Sequence, residues 1–360
     1  MKAAVCYEFG QPLVIDEVTL DPPQWGEVKI RVVATAICHS DIHRMRGEWD
    51  GAPPVILGHE TAGMVEEIGP GVTMAQPGDR VIVSLLRSCG RCEYCQTGSP
   101  NLCDGYFALN SEHRIHDMQG NPIQQGIRVA GFAEYAVVDQ SQLALVPDDM
   151  SLDTASLLAC GVITGYGAAV NTAQVTPGST VVVIGTGGVG LNAVQGAAIA
   201  GARRIIAIDV LANKLTAACE FGATDVINAN EQDAAEALLE LTNGRKADYV
   251  LVTVGSGPAI EQSFKLVRNG GTIVIAGIPA LSAKVSLSMR AFVVTGGRLL
   301  GSFMGSTRLQ VDIPKLIEHY QRGNLLLDEL ITGRYPLEQI NEAIDSMERG
   351  EALRNVIVFE

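Results

Sequence analysis

The sequence contains no run of about 18 consecutive apolar residues, the length that a helix needs to cross a bilayer. Its first residues, MKAAVCYEFGQPLVI, lack the apolar centre of a secretory signal peptide. Basic residues are also scarce: 26 Lys and Arg stand against 40 Asp and Glu, and the net charge of −14 repels phosphate backbones and anionic membranes. We therefore expect a soluble, cytoplasmic protein that binds neither nucleic acid nor membranes.

Cysteine is too sparse for a small domain held together by disulfides, because the 360 residues include only eight. Four of the eight follow a metal-binding spacing, which favours a reducing compartment. A chain of this length can bury a large core, and we expect it to form two domains.

The most informative motif is a C-x2-C-x2-C-x7-C cluster formed by Cys89, Cys92, Cys95 and Cys103. Four thiolates in one short segment suit tetrahedral zinc or an iron–sulfur centre. The bacterial ferredoxin run ends in C-x3-C-P, whereas here seven residues separate the last two cysteines and Asp104 follows Cys103. Zinc is therefore favoured over iron–sulfur. Because four sulfurs leave no position for a substrate, the site is predicted to be structural.

The chain changes character near Thr180. The part before it predicts a β-rich domain, because short β-type runs alternate with Gly- and Pro-rich turns; the runs include Val28–Val33, Thr61–Ile68, Arg80–Ser84 and Phe132–Val138. The part after it predicts a parallel sheet covered on both faces, because apolar runs alternate with helical stretches; the runs are Val181–Ile184, Ile205–Ile208, Tyr249–Val254 and Thr272–Ala276. The tail is predicted to hold two helices, Ile313–Gln321 and Leu337–Arg349, and a last strand, Asn355–Phe359.

A glycine-rich motif follows the first of these apolar runs and precedes a helical stretch, which is the context that a dinucleotide-binding turn requires. It reads Gly185-Thr186-Gly187-Gly188-Val189-Gly190. Gly185 is expected to make the tight turn, Gly187 to let a pyrophosphate approach the helix N-terminus, and Gly190 to allow close helix–strand packing. A glycine turn selected only for packing is the alternative.

Asp209 ends the second apolar strand, 19 residues after Gly190. An acidic side chain at this place accepts hydrogen bonds from the ribose hydroxyls of the coenzyme, and it repels the additional phosphate of NADP. NAD is therefore predicted. Lys214 could reach the same ribose, although a lone lysine at this place is more often a solvated helix residue.

Three more metal-capable residues, Cys38, His59 and Cys160, lie outside the cysteine cluster. Taken one at a time, each is better explained as structural, because a buried thiol acts as a small hydrophobe and a lone histidine usually only forms hydrogen bonds. They are 21 and 101 residues apart, and nothing in these separations requires them to meet.

Taken together, the motifs resemble those of zinc-dependent medium-chain alcohol dehydrogenases over the whole chain. The matching segments, in order, are Cys38-x-Ser40-Asp41, Gly58-His59-Glu60, the four-cysteine lobe, Cys160-Gly161-x-x-Thr164-Gly165-Tyr166-Gly167, the glycine-rich turn and Leu353-Arg354-Asn355-Val356. The resemblance implies an α/β protein with a β-rich GroES-like catalytic domain at 1–161 and a Rossmann domain with a doubly wound parallel sheet at 162–303. Residues 304–360 would return to the catalytic domain.

The resemblance also implies the roles of individual residues. Cys38, His59 and Cys160 would bind a catalytic zinc ion with a fourth position left for water or substrate. Asp41 would orient His59, and Glu60 would lie behind the metal. Ser40 would accept the proton of the alcohol and pass it through the nicotinamide ribose to His43, which would face solvent.

Coenzyme and substrate positions follow from the same resemblance. Thr164 and Val189 would pack against the nicotinamide, and Arg354 and His39 would bind the pyrophosphate. The substrate pocket would be lined by Trp49, Leu85, Phe132, Ile278 and Phe303. Leu85 and Ser40 are smaller than the residues of many primary-alcohol enzymes, which would admit secondary or bulky alcohols.

The predicted function is therefore zinc-dependent hydride transfer between an alcohol and NAD, with two zinc ions per chain. One alternative is a nicotinoprotein that keeps NAD bound and dismutates aldehydes or uses an external acceptor. A non-catalytic NAD or zinc sensor is an alternative of another class, but all three catalytic zinc ligands are present. The segment near Leu299–Phe303 predicts a homodimer or homotetramer.

Overall fold

The computed structural model describes residues 1–359, which form two compact units. The first unit comprises Met1–Cys160, Arg308–Gly323 and the chain from Leu327 onwards, and the second comprises Gly161–Thr307 and Asn324–Leu326. Compared with the predicted division, the first unit ends at Cys160 instead of 161 and the second ends at Thr307 instead of 303. The short segment Asn324–Leu326 groups with the second unit because Leu326 exchanges two hydrogen bonds with the Gln195 side chain.

The strands of the described residues are β1 (Lys2–Cys6), β2 (Val14–Glu17), β3 (Thr19–Leu20), β4 (Glu27–Ala36), β5 (Val55–Ile56), β6 (Glu60–Ile68), β7 (Arg80–Val83), β8 (Ile115–His116), β9 (Pro122–Gln125), β10 (Tyr135–Asp139), β11 (Leu143–Leu145), β12 (Thr180–Ile184), β13 (Arg204–Asp209), β14 (Asp225–Asn228), β15 (Ala247–Val252), β16 (Val267–Ile275), β17 (Arg298–Gly301), β18 (Ile331–Pro336) and β19 (Arg354–Val358).

The α-helices are α1 (His39–Met45), α2 (Glu93–Gln96), α3 (Leu152–Ser156), α4 (Gly161–Gly167), α5 (Gly188–Ile199), α6 (Ala212–Glu220), α7 (Ala234–Leu241), α8 (Gly257–Leu266), α9 (Met289–Thr295), α10 (Leu309–Gln321) and α11 (Ile340–Glu348). Short 3₁₀ segments cover Pro100–Leu102, Ala108–Asn110, Gly126–Arg128, Gln140–Gln142, Leu157–Ala159, Phe303–Ser306, Asp328–Leu330 and Leu337–Gln339, and Ala168–Thr172 is a π-helical turn.

The first unit is built on two sheets. In the larger sheet the strand order is β11-β7-β6-β4-β19-β18, and β10 also pairs with β4. Along β4, alternate residues such as Val28, Ile30 and Val32 are buried, the period expected of a strand with one face on a core. Strand β4 pairs with β6 on one side and with β19 on the other. The C-terminal strand β19 therefore belongs to the same sheet as β4 and β6, which come from the N-terminal part of the chain.

The smaller sheet of this unit has the order β2-β1-β5-β9-β8-β3. Strands β8 and β9 come from the long segment between Cys103 and Phe132, which therefore adds to the fold and is not an open loop. A buried ion pair anchors the residue before β8: the Arg114 guanidinium donates to both carboxylate oxygens of Glu27, at 2.8 and 2.9 Å. A bidentate pair of this kind fixes both the distance and the relative orientation of the two side chains.

The second unit is an open parallel sheet with the order β14-β13-β12-β15-β16-β17. Every residue of β12 is buried, as expected of a central parallel strand that is covered on both faces. This confirms the doubly wound fold predicted for this part of the chain. Within residues 1–359, no single helix is long and apolar enough to cross a bilayer; one bent pair, Leu152–Ala159 with Gly161–Thr172, passes the same test by length and composition alone.

Candidate active site and metal centres

The cysteines of the predicted structural site converge within the first unit. The sulfur atoms of Cys89, Cys92, Cys95 and Cys103 all lie within 4.8 Å of one another. The sulfurs of Cys92 and Cys103 are 3.8 Å apart. Tetrahedral thiolates at a Zn–S distance of about 2.3 Å stand about 3.8 Å from one another. The donor set and its spacing therefore fit a zinc ion held by protein ligands alone.

Backbone N–H groups point at these sulfurs. Cys103 Sγ accepts hydrogen bonds from the amides of Cys89 at 3.3 Å and Gly105 at 3.4 Å, and Cys89 Sγ accepts one from the amide of Cys92 at 3.3 Å. The amides of Arg91 and Cys92 lower the pKa of Cys89 to about 6. Gly105 was not predicted to matter, but a Cβ there would lie 2.7 Å from the Cβ of Cys89, so only glycine fits.

A second group of metal-capable residues meets deep inside the same unit. Ligand atoms of Cys38, His59, Glu60 and Cys160 all lie within 4.8 Å of one another, and all four residues are buried. Cys38 caps the N-terminus of α1, Glu60 begins β6, and Cys160 follows the 3₁₀ segment Leu157–Ala159. The three predicted catalytic ligands are thus brought together by elements far apart in the sequence.

The Asp41 carboxylate holds this group in place. Its Oδ1 accepts hydrogen bonds from Nδ1 of His59 at 3.0 Å and from the amide of Gly58 at 2.9 Å, and its Oδ2 accepts one from the amide of Cys38 at 3.1 Å. Among the described residues, the buried Nε2 of His59 has no hydrogen-bond partner. A buried ring nitrogen without a partner is costly unless it binds something, and a metal ion fits it.

The electrostatics of the group also suit a cation. The Cys160 thiol, followed by His59 and Arg354, holds the pKa of Cys38 well below its usual value, although burial opposes this. Burial alone would lower the pKa of His59, but Asp41 and the Cys38 thiolate raise it well above its usual value. A metal ion can replace the proton on His59, because metal binding releases protons from its ligands.

Arg354 forms a buried ion pair with Glu60. Burial raises the pKa of Glu60 to about 7, while Arg354 acts in the opposite direction. The resemblance assigned Arg354 to the pyrophosphate of the coenzyme. The structure places its guanidinium beside Glu60, with only 4% of the residue exposed, and the pyrophosphate role stays a prediction.

The predicted relay residues lie on α1. Ser40 and His43 are three residues apart and therefore share one face of the helix. The His43 side chain is 34% exposed, so it is partly covered; its Nδ1 lies 2.5 Å from Oε2 of Glu48, and its ring stacks on Trp49. Glu48 was not among the residues singled out from the sequence. His39, at the start of the helix, is exposed.

The predicted pocket residues are divided between the two units: Trp49, Leu85 and Phe132 lie in the first, and Ile278 and Phe303 lie in the second. Phe132 is fully buried in the hydrophobic core of the first unit, and its ring fills the space beside Gly58, where a Cβ would lie 2.7 Å away. Leu85 is also buried. In the second unit, Ile278 is 49% exposed and Phe303 is 41% exposed. Their part in a substrate pocket stays a prediction.

The glycine-rich turn has the conformation that its sequence suggests. Gly185 has a φ of +87°, and a Cβ at Gly190 would lie 1.8 Å from the Gly185 carbonyl oxygen. No atom lies within 4 Å of where a Cβ of Gly187 would be, which leaves the N-terminus of α5 open to a ligand. Gly188 and Val189 begin that helix. The turn can therefore hold a pyrophosphate.

Asp209 braces this turn. Its Oδ2 accepts hydrogen bonds from the amide and the hydroxyl of Thr186, at 2.7 and 2.9 Å, and its Oδ1 accepts from the amides of Val210 and Leu211. Thr186 was not singled out from the sequence, although a hydroxyl inside a glycine turn is a usable signal. Lys214 is 7% exposed on α6, so it is not the solvated lysine weighed as its alternative.

Thr164 is buried on α4, and its hydroxyl lies 3.7 Å from the sulfur of Met304. A Cβ at Gly165 would lie 2.1 Å from the carbonyl oxygen of Val189. Gly165 therefore lets α4 pack directly on the start of α5. The roles of Thr164 and Val189 beside the nicotinamide stay predictions.

Family models and a curated relative match this chain. Residues 24–148 match the alcohol dehydrogenase GroES-like domain, and residues 188–322 match the zinc-binding dehydrogenase family. The NDMA-dependent alcohol dehydrogenase of Amycolatopsis methanolica is 40% identical over 367 residues, covering 99% of this chain and 98% of that protein.

Solved structures of related proteins share the fold of this chain over its whole length. Benzyl alcohol dehydrogenase from Acinetobacter calcoaceticus is 33% identical with a TM-score of 0.93, covering 100% of this chain and 99% of that one. An alcohol dehydrogenase zinc-binding domain protein from Burkholderia ambifaria is 33% identical with a TM-score of 0.94, covering 100% and 98%. The protein is an alcohol oxidoreductase that uses zinc and a nucleotide cofactor. The chain belongs to the zinc-dependent medium-chain alcohol dehydrogenase family.

Proposed function

We propose that this protein oxidises alcohols to aldehydes or ketones with NAD as the hydride acceptor, and that each chain holds two zinc ions. The observation that carries the proposal is that the buried side chains of Cys38, His59 and Cys160 lie together, and that Nε2 of His59 has no hydrogen-bond partner within residues 1–359. The cluster at Cys89–Cys103 would hold the second, structural zinc ion. The substrate would be a secondary or bulky alcohol, since Leu85 and Ser40 leave more room than larger residues would.

The chemistry divides between the bound groups and the residues around them. A bound zinc ion acts as a Lewis acid that lowers the pKa of an alcohol, and a bound nicotinamide accepts hydride. Asp41 keeps His59 oriented, and Glu60 with Arg354 adds a charged pair behind the ligands. Ser40 accepts the alcohol proton, and His43, one turn further along the same face of α1, delivers it to water.

NAD is preferred over NADP in this proposal. The support is the Asp209 carboxylate, whose negative charge stands at the end of β13 beside the glycine-rich turn. An added phosphate on the adenosine ribose would meet this charge.

The proposal is tested with purified, zinc-loaded protein and a panel of primary, secondary, allylic and aromatic alcohols, with NADH formation as the readout. Aromatic alcohols are included because a similar structure is a benzyl alcohol dehydrogenase. We expect turnover that is lost in Cys160→Ala and kept in Cys219→Ala, which removes an exposed cysteine outside both clusters. Zinc-loaded protein that oxidises none of the alcohols, with free NAD or with an artificial acceptor, contradicts the proposal.

A nicotinoprotein is a second candidate, because the relative from Amycolatopsis methanolica is named for its dependence on NDMA. In that case NAD stays bound and an external acceptor reoxidises it. Protein purified and denatured without added coenzyme should then release NAD in a one-to-one ratio with chains, and NDMA should support turnover without free NAD. A sensor without catalysis is disfavoured, since all three ligands are present. The cytoplasmic location stays a prediction.

A homo-oligomer is also proposed, through the edge of the parallel sheet. Strand β17 is the last strand of that sheet, and α9, which precedes it in the chain, has no buried residue although it is apolar. Its Val293 and Val294 are each 73% exposed. A second copy of the chain is the natural cover for an apolar helix next to an unpaired strand edge. Light scattering of Val293→Asp protein should show dissociation, and an unchanged mass would overturn this assignment.

A further inference from the structure

The loop after α1 holds the His43 side chain in one place. Gly47 has a φ of +72°, which turns the chain back, and a Cβ there would lie 2.9 Å from the ring of Phe9. The amide of Glu48 donates to the carbonyl oxygen of His43 at 3.0 Å. The next two side chains, Glu48 and Trp49, are therefore delivered to the imidazole.

These two side chains contact the ring from different directions. Oε2 of Glu48 lies 2.5 Å from Nδ1 of His43. The rings of His43 and Trp49 are stacked, with centroids 5.4 Å apart and planes 22° apart. Nε2 of His43 forms no hydrogen bond with any described residue, so the contact with Glu48 selects one nitrogen of the ring.

An ionised carboxylate can only accept a hydrogen bond, so Nδ1 of His43 must carry a hydrogen. In a neutral imidazole the other nitrogen, Nε2, is then the base. An unrestrained neutral histidine in water prefers the opposite tautomer, with its hydrogen on Nε2. Glu48 therefore reverses that preference and leaves the lone pair on Nε2.

We propose that Glu48 is a positioning residue of the proton relay: it keeps Nδ1 of His43 protonated so that Nε2 receives the alcohol proton and releases it to water. The inference rests on the proposed function, because it needs His43 to be in the relay. It adds a residue outside the motifs by which the sequence resembles its family.

The first test does not depend on turnover. Zinc-loaded protein labelled with ¹⁵N-histidine is compared with Glu48→Ala, and the His43 signals are identified by their loss in His43→Ala. Wild type should show Nδ1 protonated and Nε2 unprotonated, and Glu48→Ala should move the hydrogen towards Nε2. The control is Asp50→Asn, a nearby exposed carboxylate, which should leave the signals unchanged. Identical signals in Glu48→Ala and wild type overturn the inference.

The second test measures alcohol oxidation. Glu48→Ala should lower kcat roughly 10-fold with little change in KM, as expected for losing a residue that orients a functional histidine. In a His43→Ala background the same substitution should cost nothing further, because Glu48 acts only through that ring. A further loss there overturns the positioning role. His43→Ala with wild-type turnover would instead overturn the relay itself, whatever the ¹⁵N signals show.

Discussion

Oδ1 of Asp41 and Nδ1 of His59 lie 3.0 Å apart, and this contact decides which nitrogen of His59 can bind a metal. The carboxylate accepts a hydrogen bond from Nδ1–H, which leaves the lone pair on Nε2 in the group that contains Cys38 and Cys160. The same carboxylate also accepts from the amides of Cys38 and Gly58, so one side chain holds two of the ligand segments.

Asp41→Asn should weaken zinc binding at this centre by roughly 10-fold to 100-fold, the range for residues that orient a metal-binding histidine. An asparagine can flip and donate to Nδ1, which favours the wrong tautomer of His59. Competition with a chromogenic chelator measures the affinity. Glu67→Gln, which changes an exposed carboxylate on β6, is the control and should leave the affinity unchanged. Equal affinities in Asp41→Asn and wild type contradict the role given to Asp41.

The two metal centres should respond differently to loss of a ligand. Cys95→Ala should lower soluble yield and thermal stability, because a closed thiolate site contributes directly to folding. Cys160→Ala should leave the fold largely intact and abolish turnover. Elemental analysis should find two zinc ions in wild type and in Cys219→Ala, and one in each ligand variant. An active wild-type protein with fewer than two zinc ions would rule out the pair of sites.

Removing the charge of Asp209 should narrow the preference for NAD over NADP. Asp209→Asn is the useful variant, since Asp209→Gly would also remove the acceptors of Thr186 and the two following amides. The preference, measured as a ratio of kcat/KM values, should shrink by roughly 1–3 kcal/mol. Glu220→Gln, exposed at the end of α6, should not change it. Wild-type protein that uses both coenzymes equally would show that Asp209 does not discriminate.

The relay predicts a defect that external base can repair. His43→Ala should slow alcohol oxidation roughly 10-fold or more, most strongly below about pH 7, where solvent base is scarce. Imidazole buffer should restore part of the rate, whereas Ser40→Ala should be slower and should not respond to buffer. His113→Ala, which removes an exposed histidine, is the control. An unchanged pH–rate profile in His43→Ala would show that the proton leaves by another route.

The effects of substituting Glu60 and Arg354 on the free energy of unfolding should be strongly coupled. Arg354→Met leaves a buried carboxylate without its partner, which costs about 3–5 kcal/mol of unfolding free energy. Adding Glu60→Gln should recover much of this loss, because the unpaired charge is then removed. Both tryptophans, Trp25 and Trp49, lie in the first unit, so fluorescence during urea unfolding reports on it.

Arg349→Met, which breaks an exposed pair with Glu351, should leave the unfolding curve nearly unchanged. Losses that simply add in the Glu60→Gln/Arg354→Met protein would mean that the two residues act independently.

Motifs and secondary-structure elements that are formed by residues close together in the chain could be predicted from the sequence. The four lobe cysteines lie between Cys89 and Cys103, so a short turn suffices to bring them together. The glycine-rich turn likewise needs only one strand, one turn and one helix, and its glycines carry the steric requirements themselves. The alternation of apolar runs and helices indicated the parallel sheet for the same reason, because each element is encoded over a few consecutive residues.

Only the tertiary structure decided what long-range packing creates. Cys38, His59 and Cys160 meet because α1, β6 and the segment before α4 converge, and their separations of 21 and 101 residues carry no trace of this. The same holds for Arg354 beside Glu60, and for Phe132, whose ring packs in the core of the first unit. Glu48 is close to His43 in sequence, but only the turn at Gly47 aims its carboxylate at Nδ1. Side-chain direction after a turn depends on backbone angles that residue spacing does not specify.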